Sequence, residues 1–244
     1  MARKQDTGAQ PVTPPHWNTS AASVQSRRVF RHVPNIITIS RLLLAVAFFS
    51  MLAGYQYRGR GDPTLLNIAF VTYAIALFSD FLDGYLARRW KADSAFGRIV
   101  DPFVDKVLVL GSFIFFAGKN FIIPDPAFDN RHVVKTITGV APGIVVILLA
   151  RELFVTSLRG IGESAGQNFG AAFSGKLKMV CQSVTILIIL LYVNWLHALQ
   201  ERGWEAAART FRDFCIWVTV VVTVVSGMLY LRRGVSLYQF PPNA

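Results

Sequence analysis

A chain of 244 residues that is 53% hydrophobic and only 16% charged, with a mean hydropathy of +0.42, is too apolar for an ordinary soluble domain. Its formal net charge of +11 invites nucleic acid as a partner. The basic residues, however, sit at the ends of apolar runs, which fits anionic lipid headgroups and membrane orientation and argues against nucleic acid. The two cysteines, Cys181 and Cys215, both fall inside apolar runs and imply no disulfide framework.

In chain order, residues 1–32 are polar and rich in Pro, Ser, Thr and Gln, and they read as a disordered tail. No cleavable leader is expected there, because the apolar run begins too late and ends without a small-residue cleavage pattern. Arg27, Arg28 and Arg31 precede the first apolar run, Ile36 to Tyr55. The later runs are Leu65 to Ala87, Ile99 to Ala117, Val140 to Leu158, Leu177 to Leu199 and Phe211 to Leu231. Each is long enough, or nearly so, to cross a hydrocarbon core of about 30 Å at about 1.5 Å per residue. The expected architecture is therefore all-α and polytopic, with six transmembrane helices over 33–235 and a short tail at 236–244. The connector from Gly118 to Thr138 carries Pro124 and Pro126 and reads as exposed. Arg27, Arg28 and Arg31, then Arg88, Arg89 and Lys91, then Arg159, Lys176 and Lys178, and finally Arg232 and Arg233 all fall on one side of such a bundle. The excess of positive charge places that side, with both termini, in the cytoplasm of a cell (inner or plasma) membrane.

The stretch from Asp80 to Asp105 organises the chemistry. It reads DFLDGYLARRWKADSAFGRIVDPFVD and carries Asp80, Asp83, Asp101 and Asp105. On a helix, Asp80, Asp83, Gly84, Ala87 and Arg88 share one face, and Gly97, Asp101 and Asp105 share another. Two helix ends joined by a short polar turn run antiparallel, so the acid faces can converge. Converging carboxylates repel unless cations sit among them, and an all-oxygen site without His or Cys suits a hard divalent ion, Mg²⁺ or Mn²⁺. The plainer reading is that the acids cap helices or pair with Arg88, Arg89, Lys91, Arg98 and Lys106, which serves any one acid better than the spaced set. Gly84 and Gly97 allow close approach of a ligand or of a neighbouring helix. Pro102 suits the first turn of the third helix.

A second polar cluster, from Arg151 to Lys178, contains Arg151, Glu152, Arg159, Lys176 and Lys178. Arg159 lies eight residues after Arg151, on roughly the same helix face. Several cations aimed inward imply a bound phosphate. Alternatively, Arg151 pairs with Glu152 and the others snorkel to headgroups. Asn35, Thr38 and Arg41 open the first span. They can hydrogen-bond a ligand at its mouth, or Asn35 can serve as an N-cap.

The spacing Asp-x2-Asp-Gly-x2-Ala-Arg-x8-Gly-x3-Asp-x3-Asp resembles the signature of the CDP-alcohol phosphatidyltransferase family at every position. PNIITISRLLL and ARELFVTSLRG…GKLKMVCQ resemble one branch of it, the bacterial phosphatidylglycerophosphate synthases. The resemblance implies a six-helix membrane enzyme, commonly a homodimer, that transfers a phosphatidyl group from CDP-diacylglycerol to an alcohol and releases CMP. It further implies two divalent ions on the diphosphate. Asp80 and Asp101 would bridge both, Asp83 would hold the first, and Asp105 would hold the second and act as the base. Gly84, Arg88 and Ser94 would contact the CDP portion, with Asn35, Thr38 and Gly97 beside it. For this branch the acceptor would be sn-glycerol 3-phosphate, its phosphate on Arg151, Arg159, Lys176 and Lys178. Other acceptors stay open, namely inositol phosphate, serine, or phosphatidylglycerol in a cardiolipin-forming relative. A cation transporter would spread its acids through the bilayer depth, whereas these gather at one interface.

Overall fold

The computed structural model describes residues 21–57, 63–90, 95–123, 136–164 and 173–239, with side chains at 21–37, 81–99, 101, 163, 173–174 and 233–239 outside the description. Its α-helices are α1 (Ala21–Gly54), α2 (Pro63–Trp90), α3 (Ala95–Phe116), α4 (Pro142–Ser164), α5 (Phe173–Glu201) and α6 (Glu205–Gln239). Among the described residues the only β pairing is an isolated bridge between Ile122 and Thr136. Among the described residues, three stretches are long and apolar enough to cross a membrane: Pro63–Asp80 in α2, Gly175–Glu201 in α5 and Glu205–Arg232 in α6. Thr38–Gly54 in α1 is a shorter apolar stretch.

Three boundaries differ from the sequence reading. Helix α1 begins at Ala21, inside the stretch read as a disordered tail, so Asn35 lies within a helix and not at its N-cap. Helix α3 begins at Ala95, so Pro102 sits in its interior, where the missing N–H frees a carbonyl one turn back. Helix α6 runs on to Gln239, past the expected end of the membrane domain at residue 235. In each case helix continues through polar residues, which hydropathy alone marks as an end.

Helix α1 packs on both α2 and α3, α5 packs on α6 and α2, and α4 leans on α6. The core where α1 meets α2 and α3 is aromatic. Phe48 and Tyr73 have ring centroids 5.2 Å apart, Tyr55 and Phe121 are also 5.2 Å apart, and Phe116 meets Phe121 edge-on at 5.6 Å. The α5–α6 seam is instead tied by hydroxyls: Thr185 Oγ1 and Thr219 Oγ1 are 2.8 Å apart, and Thr185 Oγ1 also donates to the Cys215 carbonyl at 3.2 Å. Such side-chain bonds hold helices together where the surroundings are as apolar as the helix faces.

The two ends of the connector after α3 are packed into the bundle, with Phe121, Thr136 and Thr138 buried, while the stretch carrying Pro124 and Pro126 (124–135) lies outside the described residues. Thr138 Oγ1 donates to the Phe116 carbonyl at 2.7 Å, and Arg212 Nη1 of α6 donates to the Ile137 carbonyl at 2.6 Å. Between them Gly139 takes φ +74, a left-handed conformation that favours glycine, and a Cβ there would press on the side-chain ends of Asp213 and Arg212.

The chain's up-and-down course brings one set of helix ends together: the end of α2, the start of α3, the later half of α4, the start of α5 and the later part of α6. The candidate site lies there.

Candidate active site

Asp80 near the end of α2 and Asp105 in the first half of α3 meet at a residue from a third helix. Arg41 of α1 has a side chain only 3% exposed, and its Nη2 lies 2.8 Å from Asp80 Oδ1 and also contacts Asp105 Oδ1. Two carboxylate oxygens on one nitrogen are within roughly 6 Å of each other, since each contact is of hydrogen-bond length. Thr38, one turn before Arg41 on α1, is buried. The acids themselves stay open to solvent, Asp80 at 38% and Asp105 at 20%.

Asp83 and Asp101 lie on the described backbone of α2 and α3, one turn from Asp80 and Asp105 respectively, but their side chains are outside the described residues. The same holds for Asn35, Gly84, Arg88 and Gly97, and Ser94 falls in a stretch outside the description altogether. Among the described residues no three His, Cys, Asp or Glu side chains cluster.

Asp105 opens on a cavity of about 520 Å³ between α3, α4, α5 and α6. Arg151, Arg159, Lys176 and Lys178 all line it. Arg151 and Arg159 project from the same face of α4, and each guanidinium carbon lies 5.8 Å from the centroid of the Tyr230 ring of α6. Both Nε atoms are buried and have no hydrogen-bond partner among the described residues. Arg151 Nη2 donates to Ser226 Oγ at 2.6 Å.

The cavity also holds a counter-charge. Glu152 Oε2 accepts from Arg151 Nη1 at 3.2 Å and from Lys178 Nζ. The pairing of Arg151 with Glu152 weighed from the sequence is therefore present. Lys178 does not snorkel: it is buried and turned to the same glutamate. Lys176 is exposed at the cavity rim, and Arg159 has no ion pair among those described. Two of the four cations thus share the single counter-charge of Glu152, and an incoming anion would draw most on Arg159 and Lys176. Lys106, next to Asp105, also lines the cavity and donates from Nζ to Thr156 Oγ1 at 2.7 Å.

Sequence reasoning left Arg41 and Tyr230 out of the acid and phosphate sets. A signal for Arg41 existed, since a cation in the apolar run ITISRLLL needs a counter-charge. Tyr230 had none, because an aromatic in an apolar helix is ordinary. Glu152 was named only as a neutraliser of Arg151, and its hold on Lys178 depends on how α4 faces α5.

An acid pair of which one member, Asp105, also lines a basic pocket is a layout that can hold a charged donor beside an anionic acceptor. The chain belongs to the CDP-alcohol phosphatidyltransferase family, whose model matches residues 31–229. It is 30% identical to a CDP-diacylglycerol–glycerol-3-phosphate 3-phosphatidyltransferase of Bacillus subtilis (strain 168), over 83% of this chain and 95% of that one. It is 27% identical to the protein of the same name from Cereibacter sphaeroides, with the same coverage of each. It is also 28% identical to a probable phosphatidylglycerophosphate synthase of Mycobacterium tuberculosis (strain H37Rv), over 86% of this chain and 85% of that one.

Proposed function

We propose that the chain transfers a phosphatidyl group from CDP-diacylglycerol to sn-glycerol 3-phosphate, releasing CMP and forming phosphatidylglycerophosphate. The observation that carries this reading is the single cavity joining Asp105 to Arg151, Arg159, Lys176 and Lys178. The names of the relatives point to the same donor and acceptor.

In this reading Asp80, Asp83, Asp101 and Asp105 hold two divalent ions, Mg²⁺ or Mn²⁺. The described part of the donor set fits: Asp80 and Asp105 offer hard carboxylate oxygens, partly open to water and close together. Bound ions would neutralise the diphosphate and the charge that develops as CMP leaves. Asn35, Thr38, Gly84, Arg88, Ser94 and Gly97 line the CDP-lipid side. Arg159 and Lys176, with the remaining donors of Arg151 and Lys178, receive the acceptor's phosphate. The acceptor hydroxyl oxygen attacks the phosphorus joined to the lipid, Asp105 takes the hydroxyl proton, and the bond from that phosphorus to the CMP oxygen breaks with its electron pair leaving on CMP.

The same reading gives six membrane spans, an active site facing the cytoplasm and a homodimer. Support for membrane contact beyond the three long apolar stretches comes from the lipid-like outer faces of α3 and α4. There Phe103, Ile114, Val146 and Leu153 are all more than half exposed.

The test is CMP release by purified protein given CDP-diacylglycerol, Mg²⁺ and a panel of acceptors: glycerol 3-phosphate, inositol phosphate, serine and phosphatidylglycerol. Release that depends on glycerol 3-phosphate is expected. Preference for another acceptor would overturn the substrate assignment and leave the chemistry standing, and no release with any acceptor would overturn both.

A further inference from the structure

We infer that Arg41 is a placeholder for a divalent cation: it holds Asp80 and Asp105 together while no ion is bound and competes with an incoming ion for the same oxygens. The inference rests on the reading of those aspartates as cation ligands.

The first observation is the contact pattern. A buried arginine that only neutralises an acid presents its planar fork, with two nitrogens on one carboxylate. Arg212 at the other end of this molecule does so, with Nε and Nη2 both donating to Asp213 Oδ1 at 2.9 and 2.6 Å. In Arg41 one nitrogen touches two carboxylates carried by two different helices. Arg41 thus holds positive charge between oxygens from α2 and α3, the place that a cation bound by the same two acids would take.

The second observation is access. Arg41 is buried, whereas Asp80 and Asp105 are partly exposed. An ion can therefore reach the carboxylates from water without Arg41 first leaving. Once there, it places two positive charges within a few ångströms of the guanidinium in a partly desolvated site, where repulsion is strong. The two cations then oppose each other's binding, and that coupling is reciprocal.

The third observation is the packing. Helix α1 lies on both α2 and α3. The Arg41 bridges tie all three helices at the site, and in the ion-bound state the ion takes over the tie between α2 and α3. A purely structural Arg41 would stabilise both states alike, whereas a placeholder stabilises mainly the ion-free one.

The full chain in detergent, titrated with Mn²⁺ and followed by electron paramagnetic resonance, separates these possibilities when thermal unfolding is also measured in EDTA and in saturating Mn²⁺. Arg41→Met is expected to bind Mn²⁺ roughly tenfold more tightly than the unaltered protein, within the usual range for such couplings. It should lose more unfolding temperature in EDTA than in Mn²⁺. Arg41→Lys, which keeps a charge, should stay closer to the unaltered affinity, and Arg41→Gln supplies the same test as Met if that variant does not fold. Equal or weaker Mn²⁺ binding in the neutral variants, or equal loss of stability in both conditions, overturns the placeholder and leaves the cation site in place. Absence of Mn²⁺ binding by the unaltered protein overturns the cation reading itself, and the inference with it.

Discussion

The bundle has a buried arginine at each end, and the two are put to different use. Arg212 is enclosed by partners that complete it: Asp213 beside it in sequence, the Ile137 carbonyl at 2.6 Å, and the Tyr192 ring 4.4 Å below the guanidinium. Its cavity of about 530 Å³ is lined by Ile144, Ile216 and Trp217 and also by Arg209 and Asp213, the latter well exposed. Arg41 instead draws together two acids from separate helices, and one of them, Asp105, borders a cavity lined with further charge. Burial of a charge does not by itself mark a functional site. What separates the two ends is how the charge is partnered: Arg212 pairs with its own neighbour in sequence, whereas Arg41 bridges acids carried by two other helices.

The largest difference should appear when one acid is neutralised. Asp105→Asn is expected to lower kcat by about 10³-fold, in the range for losing a positioned general base, with the fold and CDP-lipid binding retained. CMP release and a binding titration with CDP-diacylglycerol check both halves, and near-normal turnover would remove Asp105 from the role of base. At the opposite end the sign of the comparison reverses. Arg212→Met should cost about 2–3 kcal/mol of stability, because it strands the Ile137 carbonyl and removes charged hydrogen bonds, while kcat per folded enzyme changes less than about threefold. Thermal unfolding beside a specific-activity assay measures this. A large kcat effect in folded protein would show that the two ends are coupled.

The sequence carried this contrast only in part. The acid pattern was legible because charged residues in apolar helices are rare and their spacing of three and four matches a helical face. The Arg151 and Arg159 register was legible for the same reason, and Tyr230 facing both arginines shows what a face eight residues long can present. Contacts between helices were not legible. That Arg41 reaches both Asp80 and Asp105, or that Glu152 takes Lys178, depends on how whole helices rotate against one another, which no local period encodes. The helix ends were misjudged for another reason. Hydropathy marks where lipid contact stops, whereas the helices of this chain run on beyond it, at Ala21, Ala95 and Gln239.

A smaller effect tests the basic pocket against its own counter-charge. Arg159→Ala is expected to raise the KM for glycerol 3-phosphate roughly tenfold, as for loss of one charge-assisted phosphate contact, and to leave the KM for CDP-diacylglycerol within about twofold. Lys178→Ala should do less to the acceptor KM, because Glu152 already holds that charge, and it should cost stability by leaving the glutamate with one partner fewer. Steady-state kinetics with each substrate varied in turn separates the two residues, and a larger KM effect from Lys178 would mean that Glu152 releases it when the anion arrives.

The smallest expected effect comes from the wall behind the pocket. A Cβ on Gly227 of α6 would stand 3.1 Å from Arg151 Cγ, so the arginine stem would have to move by a few tenths of an ångström. Gly227→Ala also gains helix propensity of about 1 kcal/mol, which offsets the tight contact and keeps overall stability near its original value. The displaced stem still carries its guanidinium away from Ser226 and from the Tyr230 ring, both of which fix it at present. The expected outcome is a two- to threefold rise in acceptor KM with kcat unchanged, since a small displacement weakens one ion contact without breaking it. If acceptor KM does not move, the stem yields freely, and Arg151 owes its position to Glu152 on its own helix and not to α6.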